Sequence, residues 1–297
     1  MSTITLMDGG MGQELIHRSG REPTPLWATQ VMADTPDLVG SVHDDFFAAG
    51  ARMAKANSYA VHRDRLVGTG LEDRFEDLLR TSVTQATAAR DRAGGGRVAG
   101  CLGPLRASYR PDLHPPAQEA VPLYAEVARL LAPGCDLMAC ETVASLDHAR
   151  SVLGGARAAG LPVWLSFTVM DSDGTRLRSG EPLVAALDIA ADGVEALLVN
   201  CSAPEAVPAA LGILSADGLP FGAYANGFTA ITPDFLKDKP TVDSLSARHD
   251  LTPEAYARHA LHWADLGATL IGGCCEVGPA HIAATSRALT AAGHTLT

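Results

Sequence analysis

The sequence predicts an α/β chain closed into a single (β/α)8 TIM barrel, and three observations predict it. Eight short apolar runs recur, at 4–8, 52–58, 98–103, 137–142, 162–169, 196–201, 221–226 and 268–273, most of them bounded by Gly, Pro, Asp or Asn. Near-continuous apolar runs of this kind mark strands buried on both faces, as in a parallel sheet. Polar stretches with apolar residues at helical spacing lie between them. Finally, a chain of 297 residues with no Pro-, Gly- or Ser-rich linker fits one barrel, so one domain is expected over 1–297. No Gly-x-Gly-x-x-Gly opens the first helix, which disfavours a doubly wound dinucleotide-binding sheet.

Taken in order, the first run ends at Asp8 and meets Gly9-Gly10. The second closes on Asn57-Ser58, and the helix after it carries Phe75, Leu78, Leu79 and Val83 on one face. The third ends at Gly103, and a connection rich in proline (Pro111, Pro115, Pro116) follows. Leu123, Val127, Leu130 and Leu131 then mark a helix, and the fourth run ends in Glu141-Thr142. The fifth occupies 162–169, and the sixth ends at Cys201. A long connection, 227–253, follows the seventh. The eighth runs into Gly272-Gly273-Cys274-Cys275, and Pro279 suits the first turn of a closing helix. In a barrel all C-terminal strand ends meet on one face. Asp8, Glu141, Cys201, Cys274 and Cys275 are therefore expected close together.

Composition removes several classes of partner. With 34 acidic against 23 basic residues, net charge −11, and no basic stripe, nucleic acid and anionic membrane are not expected partners. The N-terminus lacks the pattern of a signal peptide, and no run of about 20 apolar residues exists to span a bilayer. The expected address is the cytoplasm, where thiols stay reduced. The six cysteines then read as ligands, nucleophiles or core residues rather than disulfides. Cys101, Cys135 and Cys140 read as small buried hydrophobes.

Cys201, Cys274 and Cys275 have the chemistry of a metal site. A catalytic zinc keeps three protein ligands and an open fourth position. Neighbouring residues of a regular strand point to opposite faces, so Cys274 and Cys275 can share a metal only where the chain leaves the strand. Gly272-Gly273 supplies the backbone freedom for that. The alternative, that these thiols are also only packed core, stays open on the residues alone. The ten histidines form no His-x-His or His-Glu-x-x-His pattern, so a histidine-ligated zinc hydrolase is not supported. His62 and His281 read as solvent-facing or packing residues.

Along nearly its whole length the chain resembles the zinc-dependent homocysteine S-methyltransferases, in their short stand-alone branch. The matching segments are Asp8-Gly9-Gly10-Met11-Gly12, Ala56-Asn57-Ser58-Tyr59, Gly103-Pro104-Leu105, Glu141-Thr142, Val199-Asn200-Cys201 and Gly272-Gly273-Cys274-Cys275. Each is weak alone; their order on successive strand ends is specific. The resemblance implies Zn2+ on Cys201, Cys274 and Cys275, with homocysteine sulfur in the fourth position. It implies that Glu141 contacts the homocysteine ammonium. The amides of Gly9, Gly10 and Met11 could cradle its carboxylate, with Asp8 orienting that turn or touching the ammonium, and Asn200 bordering the substrate. Trp27 and Tyr59 match the aromatic positions expected to face a cationic methyl donor.

The implied reaction is methyl transfer from a small cationic donor to homocysteine, giving methionine. S-methylmethionine is favoured and S-adenosylmethionine is a lesser option, with betaine or another sulfonium open. Methylation of a different thiol or selenol is the nearest alternative; a catalytically silent barrel with a structural zinc is the alternative of another class. Two positions depart from the pattern. Thr142 stands where the betaine-using branch has tyrosine, and Glu276-Val277-Gly278 follows the cysteine pair. The sequence leaves oligomeric state open.

Overall fold

The computed structural model describes residues 1–20, 24, 26, 28–191, 193–232, 235–236 and 245–297. Eight parallel strands carry the architecture: Thr3–Leu6, Met53–Lys55, Arg97–Leu102, Leu137–Val143, Val163–Phe167, Ala196–Asn200, Phe221–Tyr224 and Leu270–Ile271. Each pairs in parallel with the next, from Lys55 beside Ala99 through Leu102 beside Cys140 to Asn200 beside Tyr224. The eighth pairs with the first, Leu6 beside Ile271. A parallel bridge between Met7 and Met53 joins the first to the second and closes the ring. The lower part of that edge of the first strand is taken by Thr295–Leu296, in register with Thr3 and Ile4. The expected (β/α)8 barrel is thus the observed fold.

Burial follows from the pattern that predicted it. Most strand residues are buried on both sides. Met7, Met53, Ala99, Cys101, Leu137, Ala139, Trp164, Ala196, Leu198, Tyr224 and Leu270 fill the barrel interior. A larger layer packs between strands and helices and contains Cys135 and Cys140. Helix Phe75–Arg92 buries Phe75, Leu78, Leu79 and Val83. In Ala117–Leu131, Val127 and Leu131 are buried, while Leu123 and Leu130 lie at the edge of the layer. Pro279 opens Pro279–Ala291, whose N-terminus is braced by His281: its Nδ1 accepts from the Gly278 amide at 3.2 Å.

The sequence-predicted strands overran at their C-terminal ends. The second stops at Lys55 rather than 58, the seventh at Tyr224 rather than 226, and the eighth at Ile271 rather than 273. In each case the chain turns off the sheet to build the active face. The run 162–169 also divides: after Val163–Phe167, Val169–Met170 pairs antiparallel with Asp173–Leu177 as a hairpin above the fifth strand.

Candidate active site

Three sulfurs meet at the C-terminal mouth of the barrel. The Sγ atoms of Cys201, Cys274 and Cys275 lie within 4.8 Å of one another, the one cluster of potential metal ligands found among the described residues. Cys201 follows the sixth strand in a left-handed conformation, φ 49°, which turns its side chain off the strand. That kink is held from behind. Its carbonyl accepts from the Thr168 hydroxyl at 3.1 Å and the Arg178 guanidinium at 3.3 Å, and Arg178 is fixed by Asp171. The hairpin that the sequence reading missed supplies Asp171 and lies beside Arg178. Left-handed non-glycine residues are costly and persist where their surroundings over-determine them; Thr142 and Glu276 share the conformation.

The cysteine pair is positioned by close backbone approach. The Cys274 amide donates to Ala225 O, and the Gly227 amide to Cys275 O. The Gly10 amide donates to Val277 O at 2.9 Å, stitching the loop after the first strand to the loop after the eighth. A Cβ on Gly10 would stand 2.5 Å from the Cys274 carbonyl oxygen, and one on Gly273 would stand 2.2 Å from a Val277 methyl. Only glycine allows these two loops to touch.

The sulfurs of Cys201 and Cys274 are in contact, their Cα atoms 5.8 Å apart, with Cys275 beside them, whereas Cys101, Cys135 and Cys140 lie outside the cluster. Cys275 Sγ lies 4.0 Å from Cys274 Sγ. Burial, then the neighbouring Glu276 carboxylate, pushes the Cys275 thiol up to about 12.

A charged group lies deeper in the barrel. Asp8 is fully buried. One of its oxygens accepts the Lys55 amide at 2.8 Å, and the other takes the Lys55 ammonium. Lys55 Nζ also donates to the Asp8 carbonyl at 3.2 Å and sits 5.1 Å from the centre of the Tyr224 ring. Burial works against this ammonium, but the Asp8 and Glu141 carboxylates outweigh it and hold its pKa above the ordinary lysine value. Burial raises Glu141, partly offset by Lys55 and by hydrogen bonds from the Cys101 thiol and the Tyr224 hydroxyl.

The pocket joining these groups is lined by Gly9, Gly10, Met11, Glu141, Asn200, Tyr59, Cys201, Cys274 and Cys275 among the expected residues. Asp8 does not line it; Lys55 does. The Gly10 and Met11 amides are already committed, to Val277 O and Gly9 O, which corrects the expected three-amide cradle. Gly12 and Gln13, in the first turn of helix Met11–Ser19, border the pocket as well. The Asn200 side chain ties strand ends together, accepting from the Thr142 amide and Ser166 hydroxyl and donating to the Thr142 hydroxyl. Tyr59 shares a 2.8 Å hydrogen bond with Ser108. Trp27 falls outside the described residues. Above the sulfurs, Tyr109, Phe228, Phe235 and Leu245 form an apolar cap.

The profile described as homocysteine S-methyltransferase matches residues 5–289. The chain belongs to the homocysteine S-methyltransferase family. It is 32% identical to homocysteine S-methyltransferase of Escherichia coli K12, across 95% of this chain and 94% of that protein. It is 27% identical to homocysteine S-methyltransferase YbgG of Bacillus subtilis, across 94% and 92%. Superposition on the metallated form of E. coli homocysteine methyltransferase MmuM gives a TM-score of 0.80 at 30% identity, covering 96% of each chain. The oxidised form gives 0.81 at 30% identity, covering 96% of this chain and 95% of that one. The protein is accordingly an enzyme of methyl transfer to homocysteine, with a cysteine cluster suited to a metal.

The pocket and supporting residues that sequence reasoning missed are Lys55, Gln13, Tyr109 and the Arg178–Asp171 pair. Lys55 was legible only as one polar residue inside an apolar run, between Ala54 and Ala56. Lys is almost never fully buried without a partner, so that position carried a signal. Nothing in the local sequence marks Tyr109, whose place depends on a left-handed turn, φ 60°.

Proposed function

We propose that the protein transfers a methyl group from a small cationic donor, S-methylmethionine in the first instance, to the sulfur of homocysteine, using a zinc ion held by Cys201, Cys274 and Cys275. The convergence of these three sulfurs with Glu141 in one pocket carries the reading. The donor set fits the ion. Two sulfurs about 2.3 Å from one tetrahedral zinc stand roughly 3.8 Å apart, and Cys274 and Cys275 are 4.0 Å apart. With all three residues as thiolates, Cys201, Cys274 and Cys275 supply the three ligands. Zinc held there would supply the charge that keeps an acceptor thiol deprotonated at neutral pH, where a free thiol is only a few per cent thiolate.

The chain's own residues do the rest. Glu141 receives the acceptor's ammonium. The first turn of helix Met11–Ser19, with amides that have no acceptor within the helix, suits its carboxylate. The acceptor sulfur forms its bond to the methyl carbon as the donor's sulfur–methyl bond breaks, and the donor leaves as a neutral thioether. Loss of donor charge is favoured in an apolar enclosure, which Tyr109, Phe228, Phe235 and Leu245 provide, and the Tyr59 ring suits the cation before transfer. A structural zinc would be closed by four protein ligands; among the described residues the cluster offers three. The reading is tested by reconstituting the reduced protein with zinc and measuring methionine from homocysteine with S-methylmethionine, S-adenosylmethionine and betaine. Turnover with the first is expected; no product with any donor at stoichiometric zinc would sink it.

A further inference from the structure

We propose that the cavity beside the sulfur pocket is a second substrate site, which holds the amino-acid head of the methyl donor by Asp64 and Arg65. The inference rests on the function proposed above and names the part of the donor that is recognised. The pocket at the sulfurs encloses about 100 Å³, room on the order of seven to ten water-sized groups, which homocysteine takes up alone. The donor's chain must extend beyond it. A neighbouring cavity of about 850 Å³ shares Ala60, Ser108 and Phe235 with that pocket, and Thr24, Asp64, Arg65, Arg106 and His114 also line it.

The residues of this cavity carry polar atoms that the fold leaves unpaired. Only 8% of the Asp64 side chain is exposed. One of its oxygens accepts the Arg106 amide at 2.6 Å, and the other is buried with no hydrogen-bond partner. The Thr24 hydroxyl and His114 Nε2 are likewise buried and unpartnered. Buried polar atoms are costly to leave unpaired. All three can accept a hydrogen bond, since burial lowers the His114 pKa and keeps its ring neutral, and an ammonium brings three hydrogens. Asp64 alone among them adds a charge. Arg65 supplies the opposite sign and forms no ion pair among the described residues. Its Nε donates to the Pro104 carbonyl at 3.0 Å and one terminal nitrogen to Ser108 Oγ at 3.4 Å, which leaves the other for a carboxylate. The same Ser108 oxygen shares a hydrogen bond with the Tyr59 hydroxyl, and the guanidinium carbon lies 5.9 Å from the centre of the Tyr59 ring. A sulfonium at Tyr59 therefore meets a like charge, which a carboxylate on the donor itself offsets. Betaine brings a carboxylate without ammonium hydrogens and leaves Asp64 unanswered.

The test pairs variants with donors that lack one group. Zinc-loaded enzyme and homocysteine are assayed with S-methylmethionine, with 4-(dimethylsulfonio)butanoate, which lacks the ammonium, and with 3-(dimethylsulfonio)propylamine, which lacks the carboxylate. Each truncated donor is expected at least tenfold below S-methylmethionine in kcat/KM. Asp64→Asn keeps an oxygen for the Arg106 amide and removes the charge. It should raise KM for S-methylmethionine tenfold or more, change KM for homocysteine less than threefold, and leave the desamino donor within threefold of its wild-type value. Arg65→Gln should cost the desamino donor tenfold or more and spare the decarboxy one. S-adenosylmethionine carries the same head, so the Asp64→Asn penalty must appear on whichever of the two donors is used. A penalty that falls equally on donors with and without the ammonium, or one that falls on homocysteine, overturns the proposal. A binding readout needs no turnover. By calorimetry on zinc-loaded protein saturated with homocysteine, 2-amino-5-methylhexanoate, which has the head but no transferable methyl, should bind once per chain and at least tenfold more weakly in Asp64→Asn. No binding, or equal binding in the variant, contradicts the site. If homocysteine is methylated by no donor, the proposed function falls, while the calorimetric comparison still decides the cavity.

Discussion

Glu141 and the cysteines divide the labour of the pocket, and their substitutions should fail in different ways. Under the proposed function, Glu141→Gln removes the charge assigned to the acceptor's ammonium while leaving the sulfurs in place. A hydrogen bond to a charged group contributes about 1.5–3 kcal/mol, so KM for homocysteine should rise roughly tenfold to a hundredfold with zinc content unchanged, measured by steady-state kinetics beside metal analysis. Cys274→Ala should lose both metal and turnover; full zinc retention in that variant would contradict the ligand assignment. Much of this was legible in the sequence because the chemistry is carried by rare residue types at strand ends. Lys55 was not, because its meaning depends on Asp8, which reaches it only through the Met7–Met53 closure of the barrel.

The elements around the site act as supports, and their effect reaches the sulfurs through backbone geometry. The hairpin Val169–Met170 with Asp173–Leu177 is the clearest case. It places Asp171 against Arg178, and Arg178 against the Cys201 carbonyl. Outer supports of metal ligands are commonly worth about 10–100-fold in metal affinity. Arg178→Ala should therefore weaken zinc binding by about that factor in a competitive chelator titration, without unfolding the barrel. Gly10→Ala is expected to do more harm. The added methyl would meet the Cys274 carbonyl at 2.5 Å, so both loops must shift, and loss of metal should accompany a clear drop in thermal midpoint. The two- to three-residue overrun of the predicted strands has the same origin. Periodicity sees an apolar run, and cannot see that the last residues of the run leave the sheet to approach another loop.

At the scale of the whole molecule the barrel was readable from its eight apolar runs, because a strand buried on both faces has few other sequence solutions. What composition did not foretell is the amount of buried histidine. His43, His62 and His148 are buried, and His114 lies tilted against His148 with ring centres 4.7 Å apart. Burial depresses all four, His43 to about 3 and His62 to about 4, and His148 well below the ordinary value. The His148 ring is held between the Tyr124 hydroxyl and the Ala144 amide, which donates to its Nδ1, as suits a neutral imidazole. In the unfolded chain these groups take up protons near pH 6.5, while the folded protein does not until far lower. Between those values the unfolded state binds more protons, so stability rises with pH and is lost as pH falls. Each tenfold change in proton affinity is worth about 1.4 kcal/mol. The thermal midpoint should fall steadily from pH 7 to pH 4.5, by differential scanning calorimetry, and His148→Phe should flatten that fall. A midpoint independent of pH over this range would contradict the buried, neutral state of the cluster.

The central claim is that the three sulfurs hold a zinc at which homocysteine is methylated. It is tested most directly on one reduced, zinc-reconstituted sample, by measuring bound zinc and methionine formed from homocysteine and S-methylmethionine together. One zinc per chain, with methionine production that disappears on chelation and returns on adding zinc, is the predicted result. Stoichiometric zinc without methionine from any donor, or full turnover in the chelated protein, would contradict it.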